Sequence, residues 1–96
     1  MHILIRVVDV FKAIADPVRR TILDELVAKN GQTLFELVTG LIHKHGISMS
    51  RQAISQHLDI LEGAGLIHTR REGRCKFHDV DTAPLAAIAN RWPIAA

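Results

Sequence analysis

Apolar residues return every three or four positions along most of this chain, which is a helical period. Ile3, Leu4, Val7, Val8, Phe11 and Ile14 predict a first helix over 3–14. Asp16-Pro17 then restarts the chain, because Asp is a good N-cap and Pro costs nothing at the first helical position. The second helix is expected to reach about Lys29, with Val18, Ile22, Leu23, Leu26 and Val27 inward and Asn30-Gly31 closing it. Thr33 and Glu36 spell a capping box. It opens a third helix with Leu34, Leu37, Val38, Leu41 and Ile42 apolar, ended by His43-Lys44-His45-Gly46. Ser50 caps a fourth, whose Ile54, Leu58 and Leu61 make one narrow stripe before Gly63 and Gly65 turn the chain.

After Leu66 the pattern changes. Ile67–Arg71 and Arg74–Val80 read as two strands joined at Glu72-Gly73, a hairpin signal. A last helix follows Asp81-Thr82, with Pro84 tolerated in its first turn, a stripe of Leu85, Ile88, Ala89 and Trp92, and Pro93 as its stop. The prediction is one mainly α domain over residues 1–96, in the order α-α-α-α-β-β-α, without repeats, linkers or low-complexity segments.

The polar side of the fourth helix suggests a function. A solvated face would be laced with Lys and Glu, whereas here Gln52, Ser55, Gln56 and Asp59 point away from the apolar stripe, with Arg51 at the N-terminal flank. Amide and guanidinium groups can hydrogen-bond base edges, in bidentate fashion for Arg and Gln. The third and fourth helices, joined through Ile47-Ser48-Met49, form a helix-turn-helix with a longer connection than the minimal version. The hairpin behind it carries Arg71 and Arg74 beside its turn, with Arg70 and Lys76 further back. A basic ribbon there is a wing suited to phosphates or the minor groove. The DNA-facing set is therefore Ser50, Arg51, Gln52, Ser55, Gln56, His57, Arg71, Arg74 and Lys76. Ser50 caps the helix and offers phosphate its free N–H groups. His57 projects toward the apolar side, so a bridging structural role stands beside phosphate contact. Arg19 and Arg20 either meet phosphates or pair with an acid.

Net charge, at +2, announces no nucleic-acid binder, but its distribution does. Residues 1–42 hold five Lys/Arg and five Asp/Glu, while residues 43–78 hold six against three and five of the six histidines. The positive excess lies where the reading helix lies. One cysteine, Cys75, excludes an internal disulfide and suits a reducing cytoplasm. No run is long enough to cross a membrane, and the N-terminus lacks the long apolar stretch and small-residue cleavage site of a signal peptide.

At Phe11–Leu23, Ser50–Leu58, Leu61–Ile67, Arg70–Arg74 and the ending from Ala83-Pro84-Leu85 to Arg91-Trp92 the sequence resembles the ArsR-type winged helix-turn-helix repressors, and the likeness covers nearly the whole chain. The resemblance implies a homodimeric intracellular regulator that meets its partner through the first and last helices. Physical reasoning agrees. A chain this short cannot cover apolar faces on both helices, so Val7, Val8, Phe11, Leu85, Ile88 and Trp92 would leave an exposed patch of the kind that marks an interface. A two-fold dimer sets two reading helices about 34 Å apart and predicts a palindromic double-stranded DNA site.

The chain departs from the metal-sensing members. Glu36-Leu37 is followed by Val38, Thr39 and Gly40 with no thiol, and no histidine follows His78. Neither a metal nor another cofactor is expected. His43 and His45 do not share a helical face, and Cys75, on the same strand face as Phe77, is expected to pack as a small hydrophobe. No enzyme is expected either, because Ser55, His57 and Asp59 splay around their helix and cannot form a relay. Two rivals remain at this point: a metal- or redox-responsive sensor of the same fold, and a winged helix used to bind protein.

Overall fold

The computed structural model describes residues 8–95. Local capping chemistry explains most of the element boundaries. α1 (Val10–Ala13) begins where Asp9 accepts the Phe11 N–H at 2.8 Å. α2 (Pro17–Ala28) begins where Asp16 accepts the Arg19 N–H at 3.1 Å. In α3 (Leu34–His45), Thr33 and Glu36 make the capping box in both directions, and Gly46 closes the helix at φ +66°. In α4 (Arg51–Gly63), the Ser50 Oγ accepts the Ala53 N–H at 3.0 Å.

The exit from α4 is a Schellman motif. Leu66 N–H bonds the Leu61 carbonyl at 3.0 Å and Gly65 N–H that of Glu62 at 2.9 Å. Gly65 holds the left-handed conformation this requires, at φ +78°, while Gly63 stays in the helix. Leu61 and Leu66 are both fully buried, so the motif also fixes where the hairpin leaves the core. β1 (Ile67–Glu72) and β2 (Cys75–Val80) pair antiparallel, and a 3₁₀ turn (Ala83–Leu85) leads into α5 (Ala86–Arg91).

Ile22 and Leu26 of α2, Leu37 and Leu41 of α3, Ile54 and Leu61 of α4, and Ile67 of β1 lie at 0–1% exposure and form one core. Each such side chain contributes about 1.5–3 kcal/mol of transfer free energy. The core holds the helix-turn-helix rigid and leaves the outer face of α4 to solvent.

Several expectations are corrected. Among the described residues the first helix is one turn, Val10–Ala13, because Asp9 caps it from within the expected span; residues 3–7 of that span lie outside the described residues. Val7 lies outside the described residues. Val27 is 65% exposed, and Glu25 occupies the buried edge of α2 in its place. Ile42 is also exposed. The hairpin turn is shifted by one residue: Glu72 pairs with Cys75, leaving Gly73-Arg74 as the loop. Gly73 has φ +62° and Arg74 does not share the positive φ, which is the type II′ arrangement with glycine first. Cys75 does not pack; it is exposed near the tip.

Candidate nucleic-acid interface

α4 buries Ile54, Leu58 and Leu61 and turns the opposite side outward. Arg51, Gln52 and Gln56 are exposed, and Ser55 is half-buried between them. Among the described residues no hydrogen bond or ion pair engages these four side chains, so their donors and acceptors are available to a ligand. The α4 N-terminus, capped by Ser50, lies at the same end as Arg51 and Gln52.

The hairpin register sorts the basic residues of the wing. Arg71 stands directly across from Lys76, and Arg70 across from Phe77. The face of Arg71 and Lys76 continues through Thr69 and His78 to Ile67 and Val80, which carry it into the body of the domain. Thr69 Oγ1 donates to Glu62 of α4 at 3.3 Å, tying this face to the reading helix. At the tip Arg71, Arg74 and Lys76 are exposed and, among the described residues, unpaired. Arg70 faces the other way and is already occupied. Its Nε donates to Asp79 at 2.7 Å and its Nη1 to Glu72 at 2.6 Å, with the guanidinium 4.8 Å from the Phe77 ring centroid.

The base of the wing is fixed by contacts that carry no periodic signal. Gln32 and His78 are both buried and form an isolated bridge. His78 donates twice to the Gln32 carbonyl, from its backbone N–H and from Nδ1, each at 2.9 Å. Gln32 Nε2 in turn donates to the Lys29 carbonyl at 2.8 Å, closing the end of α2. Asn30 Oδ1 accepts the Val80 N–H at 2.8 Å. These bonds set the angle at which the basic tip stands off the helices.

Arg19 and Arg20 turn out to serve α1. Arg19 Nε donates to the Ala13 carbonyl at 2.7 Å, and Arg20 Nη1 to that of Ile14 at 2.8 Å. His57 is drawn into the same region, with its side chain 18% exposed and Nδ1 accepting from Arg19 Nη1 at 3.2 Å. Asp16 Oδ2 is 4.0 Å from the same Nδ1. Burial pushes the Asp16 carboxyl upward, but the backbone N–H and the charge of Arg19 oppose it, and the pKa lies below the ordinary value.

The histidine pair at the end of α3 is split. His45 Nε2 donates to Glu25 Oε2 at 2.9 Å, and Lys44 Nζ lies 3.5 Å from Oε1. The His45 hydrogen bond, opposed by burial and aided by Lys44, holds the Glu25 carboxyl below its usual range. No cluster of three metal-ligating side chains occurs among the described residues.

The residues expected at a dimer interface gather at the α1–α5 side. Val8, Phe11, Leu85 and Ile88 are half-buried, and Trp92 is 67% exposed. Phe11 and Trp92 meet edge to face with centroids 6.0 Å apart, and Arg91 lies over both rings.

Residues 14–70 match a helix-turn-helix domain family. The chain is 43% identical over 83 residues to an uncharacterized HTH-type transcriptional regulator, YuzN, of Bacillus subtilis (strain 168), covering 86% of this chain and 90% of that one. It is 40% identical over 82 residues to the transcriptional repressor SdpR of the same organism, covering 85% and 83%. Its fold matches an ArsR-like transcriptional regulator from Rhodococcus sp. RHA1 with a TM-score of 0.72 and 33% identity, covering 85% of this chain and 69% of that one.

Proposed function

Because the chain belongs to the ArsR-type helix-turn-helix transcriptional regulators and so binds DNA, we propose that it acts in the cytoplasm as a homodimeric repressor of a palindromic operator. One observation carries the assignment of the reading surface. The outward side of α4 offers Arg51, Gln52, Ser55 and Gln56 without partners among the described residues, and the adjacent wing tip offers Arg71, Arg74 and Lys76 likewise. The first group has the chemistry of base edges, the second that of phosphates.

In this reading α4 enters the major groove. Gln52 and Gln56 read bases through their amides and Arg51 through its guanidinium, while Ser55 offers its hydroxyl for a single hydrogen bond. Ser50 and the first turn of α4 hold a phosphate. Arg71, Arg74 and Lys76 neutralise backbone charge and supply affinity without sequence preference. His57 stands at the flank of α4 and acts there as a bridging residue bonded to Arg19, the role that stood beside phosphate contact in the sequence. Phe11, Trp92, Leu85, Ile88 and Val8 meet their copies across a two-fold axis, with Val7 assigned to the same contact from the sequence. Repression follows from occupancy, since a dimer seated on a promoter excludes other proteins from that DNA. A relative bearing the name of transcriptional repressor supports this direction.

The test is Gln52→Ala on duplexes bound by the unaltered protein. Removing one base-reading amide lowers affinity for the cognate duplex by about 1–3 kcal/mol and relaxes preference at one base position. An equal loss on every duplex contradicts the assignment of Gln52 to a base.

A further inference from the structure

Arg19 sits where three elements meet. Its Nε and Nη2 donate to the carbonyls of Ala13 at 2.7 Å and Lys12 at 3.3 Å, at the C-terminal end of α1. The Lys12 carbonyl also accepts the Ala15 N–H at 3.1 Å, so the guanidinium adds to the turn that closes α1. Its Nη1 reaches Nδ1 of His57, 38 residues further along the chain and in the middle of α4. Asp16 backs the arrangement, bonding the Arg19 N–H at 3.1 Å from the N-cap of α2. α1 also packs on Trp92 through Phe11, on the side assigned above to the partner copy. A single guanidinium therefore joins the dimer-side helix to the reading helix.

The chemistry admits one polarity. Arginine only donates, so Nδ1 of His57 accepts, and the neutral ring carries its proton on Nε2. The ring is half-buried, with Nδ1 3.2 Å from Arg19 Nη1 and 4.0 Å from Asp16 Oδ2. Base reading depends on the rotation of α4 about its axis, because hydrogen bonds weaken steeply as donors leave the line of their acceptors. The Ile54–Leu61 stripe is narrow, and apolar contact is non-directional; a polar tie on the flank adds a directional constraint.

We propose that Arg19 is a positioning residue for DNA reading: by tying the end of α1 to His57 it sets the rotation of α4 and hence which polar side chains reach the base edges. The inference rests on the reading function proposed above. Lysine cannot replace it, since one ammonium on a flexible stem does not span two carbonyls and a ring nitrogen as the planar fork does.

The experiment uses the full chain, a duplex selected by the unaltered protein, and an unrelated duplex of equal length at one salt concentration. Arg19→Lys keeps the charge that governs non-specific binding. It is expected to lose about tenfold on the selected duplex and to stay within about twofold on the unrelated one. His57→Leu gives the same selective loss, and the double variant is no worse than either single one, because both remove one tie. His57→Asn, whose Oδ1 stands where Nδ1 stood, recovers the preference. Melting curves and sedimentation are recorded for each variant. Three results overturn the proposal: full preference retained in Arg19→Lys, losses that add in the double variant, or equal losses on both duplexes with a lowered melting temperature. An unaltered protein that does not separate the two duplexes refutes the reading function itself, which distinguishes that failure from a failure of Arg19 alone.

Discussion

Replacing the glycine in the middle of α3 reverses sign according to what α2 carries. Gly40→Ala in a helix interior ordinarily stabilises by about 1 kcal/mol, through backbone entropy and propensity. Here a Cβ on Gly40 would lie 2.9 Å from Glu25 Oε1, inside the ~3.5 Å at which heavy atoms rest in contact. Glu25 is 5% exposed and cannot swing into solvent. Any retreat lengthens its 2.9 Å bond to His45 and its 3.5 Å approach to Lys44. Loss of a hydrogen bond to a charged group costs about 2 kcal/mol. Set against the ~1 kcal/mol gained from propensity, the net is a destabilisation of about 1 kcal/mol, or a fall of roughly 4–8 °C in Tm for a domain of this size. In a Glu25→Ala background the obstacle is gone, and adding Gly40→Ala should raise Tm by a similar amount. Thermal unfolding followed by circular dichroism, at one protein concentration because an assembly would make Tm concentration-dependent, measures all four proteins. A rise in both backgrounds refutes the steric reasoning.

Arg74→Ala should weaken binding evenly across sequences and reduce the slope of log K against log salt by about one unit; an unchanged slope removes the wing tip from the phosphates. Phe11→Glu places a charge in the Phe11–Trp92 contact and should give monomers in sedimentation, whereas a persistent dimer moves the interface elsewhere. Acid should destabilise the fold in a direction fixed by Glu25. Its folded pKa lies below the ordinary 4.5, so its contribution is present above that value and is lost as pH falls through the folded pKa. Asp16 and Glu36 shift the same way, so Glu25→Gln should shrink the loss of stability on acidification without abolishing it.

What could be read from the sequence is local. Thr33 with Glu36, Asp16 with Pro17, and Ser50 with Ala53 act within one turn of helix, so each carries its own signal and each element starts where that signal stands. Period gave the buried stripe of α4 and, by subtraction, its polar side. The departures arise from chemistry that acts at a distance. Glu25 takes a buried place that hydrophobic periodicity assigns to Val27, because His45 and Lys44 arrive from α3 to pair with it. Gly40 looks like a weak point in a helix until Glu25 Oε1 is set beside it. Gln32 and His78, 46 residues apart, build the root of the wing with hydrogen bonds that no pattern of apolar residues announces. The hairpin turn moved by one residue because glycine is needed first in a type II′ loop, and Cys75 was thereby placed at the exposed tip. For the site, residue types pointed to bases and phosphates, but only the register separates Arg71 and Lys76, which are unpaired among the described residues, from Arg70, which is held by Asp79 and Glu72.

Selection of bound duplexes from a random DNA pool, at a fixed physiological salt concentration, tests the central claim most directly. The account predicts recovery of an inverted repeat whose half-sites lie about one helical turn apart. A pool that stays random after selection, or one enriched only for single unpaired half-sites, contradicts it.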